Sequence, residues 1–146
     1  SDPEGKGAIQ AMQLAINSAG ISADEVDYIN AHGTSTPLGD IAEVKAIQQV
    51  FGEHSYKLNI TSSKSMTGHL LGATGAVEAI ISILSMINGI VTPTINHDPE
   101  DEDPKIDYNL NFTFNKAQKR EIRAVMSNTF GFGGHNACVI LKKFEK

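Results

Sequence analysis

From His69 to Asn88 the chain carries Leu70, Leu71, Val77, Ile80, Ile81, Ile83, Leu84, Met86 and Ile87, which cover most of the circumference of a helix. A helix that is apolar nearly all round is covered on several sides. The segment therefore predicts a layered protein with this helix sandwiched in the middle, not lying on the surface. Its exceptions, His69, Gly72, Thr74, Gly75 and Glu78, carry information. The glycines suit close approach by other backbone, and a buried Glu78 needs a partner or a proton. No apolar run approaches the roughly 20 residues that span a bilayer, so no membrane contact is expected.

The flanking segments fit one layered domain. Residues 7–19 place Ile9, Met12, Ile16 and Ala19 on one helical face, with Gly20 as the stop. Ser22 and Glu25 have capping-box spacing, and residues 26–31 read as a short strand ending at His32-Gly33. Asp40 and Glu43 repeat that spacing, which predicts Asp40 as the N-terminal acceptor of a second helix striped by Ile41, Val44, Ile47 and Phe51. Leu58 and Ile60 alternate as a strand does. Residues 91–95 form an edge strand because Pro93 lacks a donor, and the acidic stretch 98–105 is a solvated loop. Residues 122–126 and 137–141 are two more strands, joined by a glycine-rich loop from Asn128 to Asn136. This order predicts an α/β fold with a mixed sheet, helices on both faces and a buried central helix.

Composition narrows the function. A chain of 146 residues with a net charge of −5 has the size of one domain and no basic footprint for nucleic acid. One cysteine excludes an internal disulfide and a multi-Cys zinc site, and the five histidines include no helical i, i+4 pair. The glycine run at 130–134 leads into a strand, so it lacks the helix N-terminus that would hold a phosphate. Cys138 lies in an alternating strand and reads as a packed side chain, not a nucleophile. With no signal-like stretch, a cytoplasmic location is expected.

Three segments bring reactive groups to strand ends, where α/β sheets place ligands. They are His32 to Asp40 (HGTSTPLGD), residues 62–76 (SSKSMTGHLLGATGA) and Asn128 to Asn136 (NTFGFGGHN). In the second, His69 opens the apolar helix, whose positive end favours a neutral imidazole able to donate an N–H to an oxyanion. Taken alone, the pair Lys64 and His69 reads equally well as a solvated lysine and a helix-capping histidine.

Together, in this order and spacing, the three segments resemble the C-terminal half of the β-ketoacyl-[acyl-carrier-protein] synthases of the thiolase superfamily, most closely the type II elongation enzymes. The resemblance runs from about residue 5 to the end. It implies that residues 1–146 form a C-terminal thiolase-like domain, packed in the family's five-layer arrangement against an N-terminal half that carries the nucleophilic cysteine. It implies a decarboxylative Claisen condensation of an acyl thioester with malonyl-carrier protein, in fatty acid elongation. His32 and His69 would be the active-site histidines and Lys64 their electrostatic support, paired with Glu78. Thr34 and Thr36 would hold the pantetheine arm, with Phe130 and Phe132 also at the substrate. Phe132 would act as a gate on a loop whose mobility and unusual backbone angles come from Gly131, Gly133 and Gly134. Asn30, Glu78, Ser127 and Asn128 match a structural monovalent cation site, and no catalytic metal or resident cofactor is expected. The partners would be acyl carrier protein, with substrates on its phosphopantetheine arm, the N-terminal half and a second copy. Lacking the nucleophile, the 146 residues alone would be inactive. An alternative is a free-standing, non-catalytic module that binds carrier protein or regulates a synthase. Thr74 stands where alanine is more usual in the family and reads as a packing change.

Overall fold

The computed structural model describes residues 3–146; Ser1 and Asp2, within the expected domain, lie outside it. Helix α1 (Lys6–Ala19) is followed by β1 (Tyr28–Asn30), α2 (Pro37–Phe51), β2 (Asn59–Thr61), the short α3 (Lys64–Thr67), α4 (Thr74–Asn88), β3 (Ile90–Val91), β4 (Gln118–Lys119), β5 (Ala124–Phe130) and β6 (Asn136–Lys142). The main sheet has the order β2-β1-β5-β6, with β6 antiparallel and the others parallel. β3 and β4 form a separate antiparallel pair.

Alternation along the strands sorts the core into two faces. Ile29, Ile60 and Met126 pack with Met12, Ile16, Ala46 and Ile47 of α1 and α2. Tyr28 and Val125 pack with Met86 of α4 on the opposite face. The expected mixed sheet with helices on both faces is therefore present.

Several boundaries differ from the sequence reading. α2 begins at Pro37, so Asp40 lies inside the first turn and accepts the Ser35 N–H at 3.2 Å instead of capping the helix. Proline at the first helical position loses nothing, since that N–H has no partner in the helix. β5 runs to Phe130, which shortens the glycine-rich connection to residues 131–135. β4, only two residues long, has no periodicity to betray it.

The long apolar helix differs most. It begins at Thr74, not His69, because Gly68 and Leu71 adopt left-handed backbone (φ 71° and 52°) that breaks the helix. Its inward face is polar, with Thr74, Glu78, Ser82 and Ser85 buried beside Met86. Its outward face is apolar: Ile80, Ile83, Leu84 and Ile87 are exposed, Ile87 by 71%. In this chain the helix is covered on one side only. The stretch Leu71–Asn88 is also long and apolar enough, by length and composition alone, to cross a membrane, which corrects the expectation that no such run exists. The buried ion pair on its inward face suits a helix packed within protein.

Candidate active site

Because β1, β2 and β5 run parallel, the loops after them emerge at one edge of the sheet and bring the three sequence segments together. Strand β1 delivers His32. Its backbone N–H donates to Glu43 Oε1 at 2.9 Å and the N–H of Gly33 donates to Oε2 at 2.9 Å. Asn128 Nδ2 adds a third donor to that buried carboxylate at 3.3 Å. Gly33 must be glycine: φ is +40°, and a Cβ there would sit 2.7 Å from that of Ser62. Burial, then the charge of Lys64, pushes the half-buried His32 down to about 4. The ring is neutral at neutral pH.

Lys64, the first residue of α3, and Glu78 of α4 form a buried ion pair, with side chains 5% and 1% exposed. Burial raises the Glu78 carboxyl above its ordinary value, with Lys64 pulling against that shift.

His69 is exposed in the loop between α3 and α4, five residues before the α4 start, so the helix dipole is not what sets its state. Local hydrogen bonding does. Its Nδ1 accepts the Leu71 N–H at 3.0 Å, so Nδ1 carries no proton and Nε2 is the N–H of the neutral ring. The His69 ring stands edge-on to His32, centroids 5.7 Å apart and planes at 86°. Phe130 lies 5.9 Å from His32.

Phe132 is 99% exposed on the loop beyond. Gly133 and Gly134 have φ of 75° and 82°, but Gly131 has an ordinary φ of −86°, which corrects one of the three expected unusual angles. Gly131 is small for another reason: its N–H reaches the His135 carbonyl at 2.8 Å, and a Cβ would lie 3.1 Å from that oxygen. Thr34 and Thr36 lie with their hydroxyls 3.4 Å apart. They line a cleft of about 600 Å³ that also reaches Lys64 but neither histidine nor Phe132.

Asn30 and Ser127 are register partners on the α4 side of the sheet, while Asn128 points to the opposite face. Asn30 Oδ1, Glu78 Oε2 and Asn128 Oδ1 are all buried without a hydrogen-bond partner. Unpaired oxygens fit a hard cation held by oxygen ligands. Among the described residues no cluster of three or more His, Cys, Asp and Glu could hold a transition metal. Cys138 is no nucleophile, since burial and then Glu43 push its thiol up to about 12.

Residues 1–98 match the model of the β-ketoacyl synthase C-terminal domain. The chain belongs to the β-ketoacyl synthase family. Among curated β-ketoacyl synthases, it is 54% identical over 143 residues to 3-oxoacyl-[acyl-carrier-protein] synthase 2 of Staphylococcus aureus, covering 98% of this chain and 34% of that protein. It is 48% identical over 142 residues to the protein of the same name from Coxiella burnetii, covering 97% and 33%. The chain thus spans about a third of the length of these relatives. Among solved structures it superposes with a TM-score of 0.89 on a β-ketoacyl synthase from Burkholderia phymatum, at 38% identity, covering 99% of this chain and 34% of that one. It also superposes with a TM-score of 0.91 on a ketosynthase of a type II PKS in complex with its acyl-carrier protein and bound to the hexaketide, at 33% identity, covering 98% and 34%.

The sequence reading missed Glu43 as a site residue. Its three-residue spacing from Asp40 was the available signal, but that spacing points equally to a helix start.

Proposed function

We propose that the protein containing this chain is a 3-oxoacyl-[acyl-carrier-protein] synthase that elongates fatty acyl chains in the cytoplasm. The observation that carries this reading is the edge-on pair of neutral histidines beside the buried Lys64–Glu78 pair. In this reading an acyl group is loaded on a cysteine of the N-terminal half, and malonyl-carrier protein then enters. The bond between the malonyl carboxylate and C2 breaks, CO2 leaves, and its electron pair forms a thioester enolate. The enolate oxygen accepts hydrogen bonds from His69 Nε2–H and from His32. Neutral donors already in place stabilise developing charge without reorganisation. C2 then attacks the acyl thioester and expels the cysteine thiolate. Lys64, held by Glu78, supplies positive potential nearby.

Thr34 and Thr36 hold the pantetheine arm by their hydroxyls. Phe130 walls the site and Phe132 gates it on the loop of Gly131, Gly133 and Gly134. Asn30, Glu78 and Ser127, on the α4 side of the sheet, hold a monovalent cation by their oxygens; the Asn128 side chain, turned to Glu43 on the opposite face, does not join them. A second copy completes a homodimer, and acyl carrier protein delivers both substrates.

The test is the intact protein with His69→Ala, assayed separately for acyl loading and for release of CO2 from malonyl-carrier protein. Loading with lost decarboxylation is expected. Unchanged decarboxylation would overturn the role given to His69.

A further inference from the structure

Thr74 faces His69. It is the first residue of α4 and is 98% buried, with 2% of its surface exposed, and its hydroxyl oxygen lies 3.2 Å from His69 Nδ1. That nitrogen already accepts the Leu71 N–H, so it carries no hydrogen and the Thr74 hydroxyl must be the donor. An imidazole nitrogen has one lone pair, and two donors converge on it here.

The two donors differ in what holds them. Leu71 is an exposed residue in left-handed backbone, φ 52°, a conformation that non-glycine residues adopt at a cost of order 1 kcal/mol. Its loop is a single 3-10 turn, held by the Ala73 N–H on the Leu70 carbonyl and the Thr74 N–H on the Leu71 carbonyl. Thr74 is anchored in a buried helix start whose next inward residue, Glu78, is paired with Lys64.

We infer that Thr74 is a positioning residue: its hydroxyl ties the exposed His69 ring to the fixed frame of α4 and holds the Nε2–H aimed outward as the donor. The packing role read from the sequence does not require a hydroxyl. This inference rests on the reading of His69 as an enolate donor.

The experiment uses the intact synthase with Thr74→Val, Thr74→Ser and His69→Ala, measuring kcat and KM for malonyl decarboxylation and the ¹⁵N shifts of His69. Valine keeps the shape and removes the hydroxyl; serine keeps the hydroxyl. The expected result is a roughly five- to tenfold fall in kcat for Thr74→Val with KM within twofold. Thr74→Ser should stay within twofold of the parent. The Nδ1 resonance should move toward that of an unbonded ring nitrogen in the valine variant alone. If Thr74→Val misfolds, Thr74→Ala takes its place with the same expectation. A valine variant matching the parent in kcat and in Nδ1 shift, while His69→Ala has lost decarboxylation, would overturn the role of Thr74. Full decarboxylation by His69→Ala would overturn the underlying reading and the inference with it.

Discussion

Glu43, nearly two turns into α2, takes the backbone N–H of His32 at 2.9 Å, and its second oxygen takes that of Gly33 at the same distance. A buried carboxylate is thus spent on main chain, not on a side-chain cation. The strand-to-loop turn that presents His32 is fixed from behind.

Removing that acceptor should cost stability as well as geometry. Glu43→Ala leaves two backbone donors and the Asn128 amide without a partner, at about 1–3 kcal/mol for each donor that stays buried. The expected loss is about 3 kcal/mol, read from denaturant unfolding of the intact protein. A loss below about 1 kcal/mol would mean that water replaces the carboxylate.

The His32 ring should titrate far below an ordinary histidine. Its folded-state value is about 4 against 6.5 for the free group, so the unfolded chain binds the proton first. The corresponding stability is complete above pH 6.5 and declines as pH falls from there toward 4. Glu43 and Glu78 work in the opposite sense, because burial raises both carboxyls and protonating them favours the folded state. A stability curve therefore mixes the three. An NMR titration of labelled histidine separates them, and a His32 midpoint near 6.5 would contradict the buried neutral ring.

For Lys64 and Glu78, single and double substitutions should disagree. Glu78→Leu alone strands a buried ammonium and should cost about 3–5 kcal/mol. Combining it with Lys64→Met removes both charges and should restore stability to within about 1 kcal/mol of the parent, while abolishing decarboxylation. A double variant as unstable as the single one would show that the pair itself holds the fold together.

Cys138 should resist alkylation at pH 8 in the folded protein and react at the rate of a free thiol once unfolded, since its thiol is pushed up to about 12. Rapid labelling under native conditions would count against its burial.

The 146-residue chain, prepared alone, should self-associate through the outward face of α4, where Ile80, Ile83, Leu84 and Ile87 are exposed. Light scattering should show a concentration-dependent mass, reduced by Ile80→Lys with Leu84→Lys. A monomer at high concentration would remove the basis for this prediction.

Periodicity made most of the layered fold legible. Met12 and Ile16, or Val44 and Ile47, announce buried stripes because each helix packs on one side. The same logic misled at α4. Its polar inward residues, Glu78, Ser82 and Ser85, are satisfied or buried one at a time, so the sequence shows apolarity all round and hides which face meets the sheet. The site was legible as three motifs, but not as contacts. Glu43 and Thr74 act through a carboxylate on backbone and a hydroxyl on a ring nitrogen, and neither leaves a pattern in one dimension.

β5 carries Ser127, Asn128 and Phe130 on one seven-residue strand hydrogen-bonded to a neighbour on each side at its start and to β6 along its whole length. Such a strand does not bend at one residue, so Phe130 is a stationary wall. Any opening of the site has to turn on the chain just past it, at Gly131. On the proposed gating role of Phe132, the two phenylalanines flanking Gly131 would divide into a fixed post and a swinging arm.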